Sequence, residues 1–185
     1  MINWNLFIIV RKWPVNHPFE LVERNYWAPD WHVDSGALLD ENQVSKIIFM
    51  HTKGETCYNY HTCLRVVRDL KKKANETHNH EIPYQFLIGG DGKTYEGRGW
   101  THASGFSFAN NNNTLTIGFI GDFSNEIPTD IQIDEAKALI SESVRRRKLT
   151  TNYEIYGARI DESDGEKLFE IISEWDRFES FFKKP

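Results

Sequence analysis

Ile47-Ile48-Phe49-Met50-His51-Thr52 is the stretch that decides the fold of this chain. β-Branched and aromatic residues are followed by a small polar residue and then a glycine turn at Gly54. That pattern predicts a short strand buried on both faces. A second segment, Tyr84-Gln85-Phe86-Leu87-Ile88-Gly89-Gly90-Asp91-Gly92-Lys93-Thr94-Tyr95-Glu96, folds back on itself. Its four central residues form a strong turn signal, so Gln85 to Glu96 predicts a β-hairpin.

Further elements alternate between the two periods. Thr62 is placed to cap a helix that carries Leu64, Val67, Leu70 and Ala74 on one face. Thr114 to Ile120 reads as a second buried strand. Thr129 and Gln132 form a capping box after Pro128, and Ala136, Leu139, Ile140 and Val144 continue that helix. Tyr153 to Tyr156 predicts a short strand, and Leu168, Ile171, Ile172 and Trp175 a final amphipathic helix. The sum is an α/β domain with a central mixed sheet flanked by about three helices. Residues 1–19 read as an N-terminal arm, 20–182 as the domain and 183–185 as a tail. Asn110-Asn111-Asn112-Asn113 is a loop.

At 185 residues the chain suits a single domain with a sizeable core. Its net charge of −5 argues against nucleic acid as a partner. The one basic cluster, Arg145-Arg146-Arg147-Lys148, ends a helical pattern, where cations meet the helix dipole. Cys57 and Cys63 are the only cysteines. On spacing alone they are a disulfide, two metal ligands or two free thiols. Asn75-Glu76-Thr77 and Asn112-Asn113-Thr114 are glycosylation sequons, which suit an extracellular domain. No apolar run reaches the length of a membrane span, and Leu6 to Val10 is too short for a signal core. A cytosolic protein and an excised ectodomain both fit those facts.

The Ile47 strand, the Tyr84 to Trp100 segment, the cysteine pair, Leu115 to Phe123 and Trp175 together resemble the peptidoglycan recognition proteins, relatives of the phage-type zinc amidases. Within that family the likeness is greatest to an insect membrane-receptor kind, the LC type. The resemblance implies a Cys57–Cys63 disulfide and hence an oxidising compartment.

It also implies where a catalytic zinc would sit. Amidase members use the first His of a His-His-Thr strand, a His in a Gly-His-Arg strand end and a Cys in a Cys-Pro-Gly turn, with a Tyr as helper. Three such ligands leave one position for an attacking water. Here Met50 takes the first position, Gly157-Ala158-Arg159 puts Ala158 at the second, and Ser163-Asp164-Gly165 puts Ser163 at the third. Tyr84 is present. A thioether is a weak zinc donor and a methyl group is none, so no metal and no cofactor are expected. Strand alternation turns His51 away from Met50. His78 and His80, beside Glu81, read as solvated loop residues.

Family members bind the muramyl-peptide stem of bacterial cell wall in a groove over the zinc position. Carried over residue by residue, the candidate ligand contacts are Thr52, Tyr84, Arg98, Trp100, Thr101 and His102. Arg98 offers a charge-assisted bond to a stem carboxylate, and Trp100 a flat apolar wall. A buried Trp100 and an Arg98 paired with Glu96 or a turn carbonyl is the equally weighted alternative. Thr101-His102 match neither usual selectivity pair, Ser104-Gly105-Phe106 stands where Gly-Ala-His is usual, and Asn79 replaces an aromatic.

The resemblance therefore implies a non-catalytic innate immune receptor ectodomain at the cell surface, or a secreted form of it. Its expected partners are a muropeptide and a second peptidoglycan recognition protein. A zinc-dependent N-acetylmuramoyl-L-alanine amidase and a ligand-free decoy are the competing readings.

Overall fold

The computed structural model describes residues 17–30, 33, 37–40, 43–76, 81–109 and 112–184. Expectations on residues 1–16, His78, Asn79, His80, Asn110, Asn111, Pro185 and the Asn75 side chain lie outside the described residues.

Seven strands form one sheet in the order β1-β4-β3-β5-β2-β6-β7. They are β1 (Leu21–Val22), β2 (Lys46–His51), β3 (Phe86–Ile88), β4 (Thr94–Glu96), β5 (Thr114–Phe119), β6 (Glu154–Arg159) and β7 (Phe178–Lys183). Only the β3–β4 hairpin is antiparallel; the other pairs run parallel, so the sheet is mixed as its sequence predicts. The helices are a single turn, α1 (Arg24–Trp27), then α2 (Tyr60–Glu76), α3 (Asp130–Arg145) and α4 (Glu166–Ile172).

The alternation along β2 distributes the core. Ile47 and Phe49 join Ile117, Phe119, Leu139, Ile140, Leu168 and Ile172 in the main core beneath α3 and α4. Ile48 and Met50 point the other way. On that second face α2 covers the β3–β4 half, with Val66 and Val67 packed near Leu87 and Tyr95. Among the described residues the β2–β6 half receives no helix. Residues of the 104–109 loop, which holds a short 3-10 turn at Ser107–Ala109, cover it instead.

Three local features differ from the sequence reading. The α2 cap is Asn59, whose side chain accepts the Thr62 N–H at 3.0 Å; the Thr62 hydroxyl itself donates to the Asn59 carbonyl at 3.0 Å. Thr129 caps α3 through the Gln132 N–H, but the Gln132 side chain leaves the box to bond the Ile88 and Ile120 carbonyls at 2.8 and 3.4 Å. The helix thereby gains a direct tie to the sheet. Thirdly, the chain continues past α4 into β7, which the sequence reading leaves without an element. Lys183 closes that strand, and the Lys184 N–H bonds the Arg159 carbonyl at 2.8 Å, so these two tail residues lie along the sheet edge.

Candidate functional site

Met50 and Ala158 lie on adjacent strands and share one small apolar cluster with Ile48 and Ala109. Both are 0% exposed. Tyr84, Phe106, Phe108, Tyr156 and Phe182 pack around this cluster, each half-buried. Tyr84 reaches the sheet because Gly118 lies under its ring: a Cβ there would meet ring carbons at 2.8 Å. Phe106 then closes edge-on over Tyr84, with ring centroids 4.9 Å apart at 80°, and Phe108 follows at 5.3 Å from Phe106. From the opposite side Phe182 packs on Tyr156 at 5.0 Å.

The donor set does not fit a zinc ion. The first two positions supply a buried thioether and a methyl group within an aromatic-walled cluster. Ser163 is exposed, with its hydroxyl bonded to Asp161 at 2.7 Å. Among the described residues no group of three His, Cys, Asp or Glu is arranged to hold a metal. Burial, with the nearby Asp164 carboxylate, pushes the Tyr84 hydroxyl above the usual phenol range.

Beside this cluster lies a polar network that the sequence reading misses. Asp164, 3% exposed, accepts from His51 Nε2 at 2.6 Å and from Lys53 at 2.8 Å, and Lys184 stands 3.6 Å away. Burial opposes the Asp164 charge, but hydrogen bonds from Lys53, His51 and the Ile160 N–H outweigh it and hold the carboxyl well below its ordinary range. The Phe123 N–H donates to His51 Nδ1 at 3.2 Å, which assigns the proton to Nε2 in a neutral ring. Burial, despite the Asp164 bond, keeps the His51 pKa below its usual value. His51 therefore faces away from Met50, on the side of β2 that the pleat dictates.

Two of the six candidate ligand contacts, Arg98 and Trp100, are buried. Arg98, 3% exposed, is turned inward; its guanidinium binds the Glu81 carboxylate and donates to the Ala103 carbonyl at 2.7 Å. The Arg98 partner is thus Glu81, and Glu96 instead accepts the Arg24 N–H. Trp100 sits in the main core, 4.6 Å from Phe86, and its indole N–H donates to Ser143 at 2.9 Å. Burial on this scale corrects the expectation that Arg98 and Trp100 present themselves to a ligand. The Thr52 hydroxyl accepts the Gly121 N–H at 3.0 Å. Thr101 is exposed and bonds the half-buried His102 at 2.9 Å. Phe106, which the sequence reading notes only as part of the departure from Gly-Ala-His, and Phe182, which it passes over, pack on Tyr84 and Tyr156 at this site.

Cys57 and Cys63 form a disulfide, which ties the loop after β2 to the first turn of α2. Asn112 is exposed. No described helix is long and apolar enough to cross a membrane.

Comparison with known proteins places these features in a family. Residues 40–167 match the family model described as N-acetylmuramoyl-L-alanine amidase. A peptidoglycan recognition protein of Trichoplusia ni is 37% identical over 139 residues, covering 73% of this chain and 76% of that protein. The ectodomain complex of peptidoglycan recognition proteins LCa and LCx with bound tracheal cytotoxin includes a chain that superposes with a TM-score of 0.80. That chain is 30% identical, with 87% of this chain and 99% of that one covered. Peptidoglycan recognition protein LE, solved with the same monomeric diaminopimelic acid-type fragment, gives 0.79 at 29% identity, covering 86% and 95%. On the match over residues 40–167 and the identity to that Trichoplusia ni protein, this chain belongs to the peptidoglycan recognition protein family.

Proposed function

We propose that this domain is a non-catalytic sensor of bacterial peptidoglycan fragments, acting as an extracellular receptor domain beside a second member of its family. The observation that carries the reading is the apolar cluster of Ile48, Met50, Ala109 and Ala158, two of which stand at the positions the family resemblance gives to zinc ligands. Met50 offers only a buried thioether and Ala158 a methyl group, and Phe106 closes edge-on over Tyr84 beside them. The side chains of that cluster are apolar or aromatic, so they offer neither a donor set for a metal-bound water nor a general base to activate a nucleophile for amide hydrolysis.

Recognition rather than cleavage agrees with the structural neighbours. The LE protein is solved with a monomeric diaminopimelic acid-type fragment, and the LCa and LCx ectodomains are solved together around the same molecule. A groove narrowed by Phe106 and Phe182 gives up contacts that would offset ligand immobilisation, so binding by the isolated domain is weak. A fragment held by a groove-competent relative still presents a face to this chain. The disulfide and the exposed Asn112 sequon suit a cell-surface glycoprotein.

The filled groove also favours the decoy reading, in which the domain binds a relative and no ligand. Sedimentation velocity with and without a monomeric muropeptide, and with and without a groove-competent relative, separates the two. The sensor reading predicts association that requires both. Association independent of muropeptide supports the decoy, and no association in any combination contradicts both readings.

A further inference from the structure

We infer that the C-terminal segment Phe178–Lys184 is a releasable strap over one flank of the groove. Among the described residues β7 is the last strand of the sheet and pairs only with β6. Its Phe182 lies opposite Ala158 and closes on Tyr156, so the strap supplies one wall of the cluster at the former metal position. At its end Lys184 is fastened twice, through its N–H to the Arg159 carbonyl and through its ammonium group to Asp164.

The fastening is built to let go. Between the pairs Ile155↔Phe178 and Tyr156↔Ser180 the register shifts, which leaves Glu179 as an extra residue in β7. Such a bulge interrupts the ladder and bends the strand that carries it. Arg177, just before the strand, has φ 74, a conformation that costs a non-glycine residue. A cleft of about 330 Å³ opens between the strap and the 160–162 loop, lined by Phe181, Phe182 and Lys183 on the strap side. Opening also leaves Asp164 satisfied: when Lys184 departs, His51 and Lys53 still hold its carboxylate, and Lys184 returns to water. No buried charge is orphaned, which is the usual obstacle to breaking such a pair. Release uncovers Tyr156, Ala158 and the edge of β6 while the disulfide end of the domain is untouched.

The test uses the full chain with Lys184→Ala and, separately, Phe182→Ala. Amide hydrogen exchange should be faster in residues 179–184 than in β2 and β5 of the unaltered protein, and Lys184→Ala should raise it there by about threefold, the effect of losing one 3.6 Å ion pair. Each variant should also bind more of the apolar dye 1-anilinonaphthalene-8-sulfonate, with β2 and β5 still protected. Exchange in β7 as slow as in β2, and unchanged by Lys184→Ala, would overturn the strap. These two readouts need no peptidoglycan. A third, tighter muropeptide binding by both variants, rests on the sensor reading. If it alone fails, the strap stands and the sensor reading is what falls.

Discussion

Replacing Phe106 with Ala should weaken the fold and improve the groove at once. Phe106 is half-buried, and its ring stands edge-on to Tyr84 at 4.9 Å and 5.3 Å from Phe108. Truncating a fully buried Phe to Ala costs about 3–5 kcal/mol. Half-burial takes that to about 2 kcal/mol, including the edge-on pair with Tyr84, itself worth roughly 0.5–1.5 kcal/mol. For a domain of this size the loss lowers Tm by about 4–8 °C. Urea denaturation at constant m-value reads the stability, and calorimetry with a monomeric muropeptide reads the groove. Because the lost ring stood over Tyr84, affinity should rise about tenfold, near 1.4 kcal/mol. Ile171→Ala, partly buried against the main core, should lose stability with no gain in affinity. A Phe106→Ala protein of undiminished stability would refute the packing, and one that is weakened yet binds no better would refute the claim that Phe106 fills the groove.

Three other outcomes follow from the same geometry. Arg98→Ala strands the buried Glu81 carboxylate and should cost about 3–5 kcal/mol; in urea melts the double variant Arg98→Met/Glu81→Leu should recover most of it. Replacing both Cys57 and Cys63 by Ala removes a short covalent loop and should cost near the low end of about 2–4 kcal/mol, whereas thiol labelling of the unreduced native protein should find no reactive cysteine. His51 binds its proton less readily folded than unfolded, so the unfolded chain takes up more protons as pH falls below about 6.5. Its contribution is complete above that pH and is lost as pH drops toward the folded value. A His51→Gln protein should show a shallower fall in stability between neutral pH and pH 5 than the unaltered one; an identical slope would remove His51 as the source.

Where a segment's pattern was strong, the sequence was enough. Ile47 to His51, the hairpin around Gly89 to Gly92 and α3 each carry their own period or turn chemistry, and each forms as read. Residue type alone makes Met50 a weak zinc donor and Ala158 none. Features built from distant partners were not. Phe178–Lys183 lacks a clean alternation because Glu179 bulges, so it becomes a strand only where β6 offers an edge. Arg98 and Glu81 are brought together from separate segments, and no local signal chooses Glu81 over Glu96. Glu135 looks like an ordinary exposed helix residue, yet it is 0% exposed and bonds Thr94 at 2.6 Å and His17 at 2.9 Å. Asp164 likewise gains its importance only from His51, Lys53 and Lys184, three residues that come from both ends of the domain.

The absence of catalysis is tested by incubating the purified domain with zinc and diaminopimelic acid-type peptidoglycan and quantifying newly freed N-terminal alanine. An amidase of this fold cuts the bond between the muramyl lactyl group and that alanine, so each turnover releases one such amine. A non-catalytic domain gives no release above the protein-free blank and retains no zinc after desalting. Sustained release that scales with protein concentration, and that stops when a chelator strips a retained zinc ion, would contradict the non-catalytic reading.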